Sequence, residues 1–130
     1  MGLIICIETA RRLCSVALGR DGALLAMREV ESERGAHAEK VNVFVDEVLQ
    51  EAGVVLSDID AVAVGIGPGS YTGLRIGLSA AKGLCYGLDV PIIGVSTLTT
   101  LVHAARQAQA LDQRTLWPMV DARRMEVFTQ

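Results

Sequence analysis

From Leu3 to Ile7 every position is apolar, and the run breaks at Glu8. An uninterrupted apolar run of this kind predicts a strand buried on both faces. After the polar stretch Glu8 to Arg12, Leu13 to Leu18 predicts a second strand. Arg20-Asp21-Gly22 carries hairpin-turn chemistry, because glycine accepts positive φ. Ala23 to Val30 is then a third strand, nearer a sheet edge. From Ala36 to Ala52 the period changes: Val41, Phe44, Val45, Val48, Leu49 and Ala52 recur at helical spacing. Glu39, Asp46, Glu47 and Gln50 take the other face, and Gly53 is a natural terminator. Ser57-Asp58 leads into a strand from Ala61 to Ile66. The tight loop Gly67-Pro68-Gly69-Ser70 precedes a helix from Tyr71 to Gly87, which Asp89 and Pro91 end. Pro91 to Val95 is a short buried strand, and Ser96 caps a helix that reaches Ala110. Thr115 to Val120 is another strand, Asp121 to Arg124 a turn, and Met125 to Phe128 the start of a further strand.

Three strands, a helix, and then strand–helix–strand–helix make an α/β layer architecture with an antiparallel opening and a parallel remainder. This order resembles the actin-like ATPase and ribonuclease H-like architecture. Residues 1–112 are expected to form that lobe, and residues 113–130 to begin a second one that is cut short.

Composition agrees with a packed core. Hydrophobic residues make up 51% of the chain, enough to exclude disorder. Aromatics are only 4%, so the core is built from Val, Ile, Leu and Ala, as buried strands flanked by helices require. The net charge of -3 and the lack of a Lys/Arg run argue against an electrostatic nucleic-acid footprint. The pairs Arg11-Arg12 and Arg123-Arg124 read as solvated turns. Cys6, Cys14 and Cys85 show no CxxC spacing and fit small buried hydrophobes in a reducing compartment. Cys6 and Cys14 fall on the two strands of one predicted hairpin, but the compartment weighs against a disulfide. The N-terminal apolar run is broken too early for a signal peptide, and no segment approaches the ~20 apolar residues of a membrane span. The expected location is cytoplasmic.

Three groups of residues could carry chemistry. In Gly67-Pro68-Gly69-Ser70-Tyr71-Thr72-Gly73, a glycine-rich turn opens a helix that Ser70 can cap. Outward N–H groups there would suit phosphate, and tight strand-to-helix packing explains the glycines equally well. It is not a P-loop, since no Lys-Ser/Thr follows. Glu8 and Thr9, ending the first strand, are the second candidate: either a Mg²⁺-water and phosphate handle or an ordinary turn. Together these give Glu8, Thr9, Gly67, Gly69 and Ser70 as a possible nucleotide site. Third, Gly73, Gly77 and Ala81, with Ala80 beside them, form a small-residue stripe that admits a close backbone. It serves either the chain's own sheet or, with Leu74, Leu78 and Leu84 filling the core, a second chain. The partner-face candidates are therefore Gly73, Gly77, Ala80, Ala81 and Leu84, with His37, Lys40 and Val41 from the preceding helix. His37 and His103 lack a metal-binding spacing. Asp121 ends a strand with its role open.

Several of these segments, in order, resemble one family. Ile7-Glu8-Thr9-Ala10, the block Gly65 to Gly77, Pro91 to Leu98, and Val120-Asp121-Ala122-Arg123 are similar to the N-terminal part of the TsaB (YeaZ) family. The resemblance implies a non-catalytic, dimerising subunit of the bacterial tRNA threonylcarbamoyladenosine machinery. Its partner would be the catalytic paralogue TsaD, which modifies adenosine 37 of tRNA, with the ATPase TsaE joining them. Contact with tRNA would come only through the complex, and a homodimer is a further expectation. Catalytic paralogues carry two metal-binding His in the stretch where this chain has Thr97 and Leu101, so no metal site or catalytic residue is expected. No tightly bound cofactor is expected, and Glu8 and Ala10, where Asp and Ser are usual, weaken an ATP or ADP site. The rival reading is a nucleotide hydrolase or M22-like peptidase of the same superfamily. After Arg123 the family commonly shows Met-Gly-Glu-Val-Tyr, whereas this chain has Arg124-Met125-Glu126-Val127-Phe128.

Overall fold

The computed structural model describes residues 2–31, 37–109 and 115–129. Three strands come first: β1 (Leu3–Glu8), β2 (Leu13–Arg20) and β3 (Ala23–Glu31). They are followed by α1 (His37–Ala52), β4 (Ala61–Gly65), α2 (Tyr71–Leu88), β5 (Ile92–Val95) and α3 (Thr97–Gln109). A hairpin of β6 (Met119–Arg123) and β7 (Glu126–Thr129) follows. Strands β1 to β5 form one sheet in the order β3-β2-β1-β4-β5, while β6 and β7 form a sheet of their own. The β1–β2 and β2–β3 pairings are antiparallel, and β1–β4 and β4–β5 are parallel. This is the mixed α/β arrangement that the order of elements predicts.

Handedness explains where the helices lie. The connections β3–α1–β4 and β4–α2–β5 both run between parallel strands and both advance the same way across the sheet. Right-handed crossovers therefore set α1 and α2 on the same face. That face holds the core: Leu3, Ile5 and Ile7, Cys14, Val16 and Leu18, and Val62 and Val64, against Val41, Val45 and Val48 of α1 and Ala81 of α2. Burying each larger aliphatic side chain contributes about 1.5–3 kcal/mol.

The opposite face departs from expectation. β1 is not buried on both sides: Leu3, Ile5 and Ile7 are buried, Ile4 is half-buried and Cys6 is exposed. An apolar run specifies a strand but not what covers it. The same alternation turns Cys6 and Cys14 to opposite faces, so these two free thiols cannot pair across the hairpin.

Element ends moved by a few residues. The opening strands each extend beyond the expected ends, and α2 runs one residue further, to Leu88. Asp89 adopts the left-handed conformation (φ 55°) and closes α2 with a bond from its N–H to Cys85 O. Asp21 and Gly22 both have positive φ (54° and 80°), as the hairpin chemistry required. Ala36 and Ala110, the expected ends of two helices, lie outside the described residues. The last hairpin shifts most. β6 continues through Asp121 to Arg123, and Arg123, Arg124 and Met125 turn the chain with φ of 67°, 53° and 64°. Met125 holds this left-handed conformation where the resembling family commonly has glycine.

Candidate functional site

The end of β1 and the start of α2 are locked together. Ser70 caps α2, its Oγ accepting from Gly73 N at 3.2 Å. Ser70 N donates to Ala10 O at 2.7 Å. Thr9 is buried beneath the helix and donates its hydroxyl to Gly73 O at 2.6 Å. A side chain at Gly69 would overlap Ala10, and one at Gly73 or Gly77 would overlap Thr9. Gly67 has φ 101°, which glycine adopts freely, and its carbonyl accepts from Thr97 N at 2.9 Å. Thr9, Gly67, Gly69 and Ser70 thus come together, and their glycines permit close strand-to-helix packing. The Thr9 proton is already committed to the backbone of α2.

Glu8 is not part of that cluster. Strand alternation sends it to the opposite face of the sheet from Thr9. There its Oε1 accepts from Ala10 N at 2.8 Å, and its carboxylate covers Gly65, where a β-carbon would overlap it.

The expected partner face needs correction. Gly73 and Gly77 are buried against the chain's own Thr9 and Ile7, and Ala81 is buried in the core, so a second chain cannot reach them. The stripe is small because Thr9 and Ile7 come close beneath it. His37 is also turned inward: it is buried at the start of α1, with Nε2 2.9 Å from Arg11 O. Leu84 is half-buried and packs against the core. Val41 and Ala80 do face one feature, a groove of about 490 Å³ between α1 and α2. Ala38, Asn42, Thr72, Arg75, Ile76 and Ser79 complete its lining, and Lys40 is exposed on α1. Arg75 lies over the Tyr71 ring, 5.4 Å from its centroid. Residue type alone did not mark these lining residues. They share a groove because both crossovers bring their helices to one face, side by side.

Among the described residues no three His, Cys, Asp or Glu side chains gather as a metal site. His103 is exposed on α3. Asp121 accepts from Arg123 N at 2.8 Å within its own turn. Desolvation pushes the Cys6, Cys14 and Cys85 thiols above the ordinary value, which favours the protonated, unreactive form. Cys6 is exposed at its surface, yet β2 and β4 crowd it from both sides. No helix among the described residues is long and apolar enough to cross a membrane.

Residues 30–130 match the family model described as "TsaD: tRNA N6-adenosine threonylcarbamoyltransferase". The chain is 40% identical over 125 residues to the tRNA threonylcarbamoyladenosine biosynthesis protein TsaB of Escherichia coli (strain K12), covering 96% of this chain and 52% of that one. The structure of YeaZ from Pseudomonas aeruginosa superposes with a TM-score of 0.90 at 35% identity, covering 99% of this chain and 59% of that one. A tRNA N6-adenosine threonylcarbamoyltransferase of Clostridium perfringens (strain SM101 / Type A) is 47% identical over 76 residues, covering 58% of this chain and 22% of that one. The chain spans about half the length of the curated TsaB relatives it matches.

Proposed function

The chain belongs to the TsaD family and to its TsaB (YeaZ) branch, and on that premise we propose that it serves as a non-catalytic subunit that binds and sustains a TsaD-like threonylcarbamoyltransferase acting on tRNA adenosine 37. One observation carries the reading: the open groove between α1 and α2, with an apolar floor at Val41, Ile76 and Ala80 and small or polar edges at Ala38, Asn42, Thr72 and Ser79. Two parallel helix ridges with a furrow between them accept a helix of a partner, ridges into grooves. Arg75 supplies positive charge in that furrow. A TsaE-like ATPase would join the pair, tRNA would be met through the complex, and a homodimer would use the same furrow in the partner's absence.

The non-catalytic part of the reading rests on residue identity and on geometry. Thr97 and Leu101 stand where the resembling catalytic paralogues carry metal-binding His, and neither is a usual ligand for such a site. The Thr9 hydroxyl is spent on Gly73 O, and Glu8 faces away from the start of α2. Both facts favour placing ATP or ADP chemistry with the partners, and they weigh against the hydrolase and peptidase alternatives.

The test is a pull-down of a cognate TsaD-like protein, followed by threonylcarbamoyladenosine formation with and without this chain. Ala38→Arg and Ser79→Arg change exposed groove residues on α1 and α2. Each is expected to weaken the complex at least about tenfold, or 1.4 kcal/mol, with the fold unchanged by circular dichroism. Unaltered affinity in both variants would remove the groove from the interface. A partner that modifies tRNA equally well alone would remove the subunit role.

A further inference from the structure

The residues from Glu8 to Arg11 each make a hydrogen bond, and together they reach two helices. Glu8 Oε1 accepts from Ala10 N at 2.8 Å, which closes the turn on itself. Thr9 donates its hydroxyl to Gly73 O at 2.6 Å, and Ala10 O accepts from Ser70 N at 2.7 Å, so both hold the start of α2. Arg11 O lies 2.9 Å from His37 Nε2, at the start of α1. His37 sits one helical turn before Val41, on the face of α1 that sends Val41, Val45 and Val48 into the core, and it is 8% exposed. An aliphatic side chain would fill that place with no polar atom to satisfy. A carbonyl can only accept, so Nε2 carries a proton toward Arg11. Nδ1 is buried without a partner among the described residues, at a cost in stability. Packing alone does not account for a ring with one unpaired nitrogen, whereas the bond to Arg11 does.

The anchored residues adjoin the α1–α2 groove. Ala38, which lines it on α1, directly follows His37, and Thr72, which lines it on α2, lies between Ser70 and Gly73. The two backbone acceptors of the turn, Ala10 O and Arg11 O, belong to successive planar peptide groups, so only the φ and ψ of Arg11 separate them. Movement of one helix start therefore passes to the anchor of the other. We infer that the Thr9–Arg11 turn is a coupler that fixes the starts of α1 and α2 relative to each other, with His37 as the positioning residue that ties α1 to it, and that it sets the mouth of the groove from outside the groove. Its bearing on a partner rests on the subunit reading, while the coupling itself is a property of the chain alone.

The test is amide hydrogen exchange, read by NMR on the whole chain under native conditions. His37→Ala cuts the tie to α1, and the Ser70 amide, across the turn on α2, should exchange at least about fivefold faster. It should also accelerate more than the Ile5 amide in the middle of β1. His37→Gln, whose Nε2 can donate to the same carbonyl, should return Ser70 to within about twofold of the wild-type rate. Val48→Ala removes core packing from α1 away from the turn, and there Ser70 should accelerate no more than Ile5. In the other direction, Thr9→Val keeps the side-chain shape and frees one tie to α2, and the Val41 amide, one turn into α1, should exchange about threefold faster or more. In capture of a cognate TsaD-like protein, His37→Ala should weaken binding at least about threefold and His37→Gln restore it, although His37 is buried and cannot touch the partner. Ser70 acceleration no greater than that of Ile5 in His37→Ala, no rescue by His37→Gln, or an unchanged Val41 rate in Thr9→Val would overturn the coupling. Coupling in the chain with unaltered capture would overturn its control of the groove. Failure of the wild-type chain to capture the partner would remove the subunit reading, and the exchange rates would still decide the coupling.

Discussion

The two halves of α2 use glycine in opposite ways. Gly73 and Gly77, in the N-terminal half, lie so close to Thr9 that a β-carbon would overlap it. Gly83 and Gly87, in the C-terminal half, have nothing within 4 Å of where a β-carbon would go. The residue type and the helical setting are the same. The difference is the distance to β1, whose end rises under the start of the helix and is bonded to it through Thr9 and Ala10. A glycine is therefore evidence of close approach only where another element shares its space.

Substitutions along α2 can break or sharpen that contrast. Gly73→Ala should be the most damaging, because its β-carbon meets the backbone carbonyl of Thr9, which has little freedom to retreat. A loss of about 3 kcal/mol or more is expected in urea unfolding, and a wild-type midpoint would refute the packing. Gly77→Ala meets the Thr9 hydroxyl instead, a side-chain group that can rotate away. About 1–3 kcal/mol should be lost there. Thr9→Val keeps the shape and removes the bond to Gly73 O, so about 1 kcal/mol is expected by the same measurement. If Thr9→Ala, which removes both γ atoms, relieved the Gly77→Ala defect in the double variant, the clash would be pinned to that side chain. In the C-terminal half the sign reverses. Gly83→Ala and Gly87→Ala should each stabilise by about 0.5–1 kcal/mol in thermal melts, by restricting the unfolded chain and favouring helix. Destabilisation by either would mean that this half also has a close neighbour.

The same contrast extends to the sheet and to the groove. One face of β1 is covered by α1 and α2, while on the other face, among the described residues, Cys6 is exposed and Ile4 half-buried. The groove between the helices gathers Ala38, Val41, Asn42, Thr72, Arg75, Ile76, Ser79 and Ala80, of which only Val41 and Ala80 stood out from spacing. Helical periodicity marks the residues that enter the core. It does not mark the ones left at the seam between two helices, because that seam depends on how the helices are placed.

Periodicity and turn chemistry alone determined the strand and helix types, the order of elements, the Ser70 cap and the Asp21-Gly22 hairpin, because each depends on neighbours a few residues away. The resemblance carried by the Gly65–Gly77 block likewise needed no coordinates. What the tertiary structure decided was every question of facing: that Gly73, Gly77 and Ala81 serve the chain's own core, that Glu8 and Thr9 part to opposite sides, and that Cys6 and Cys14 cannot meet. It also decided which face of the apolar strand β1 enters the core, with Leu3, Ile5 and Ile7 buried and Cys6 exposed. A one-dimensional pattern states how hydrophobic a face is, and the handedness of two crossovers states which face is covered.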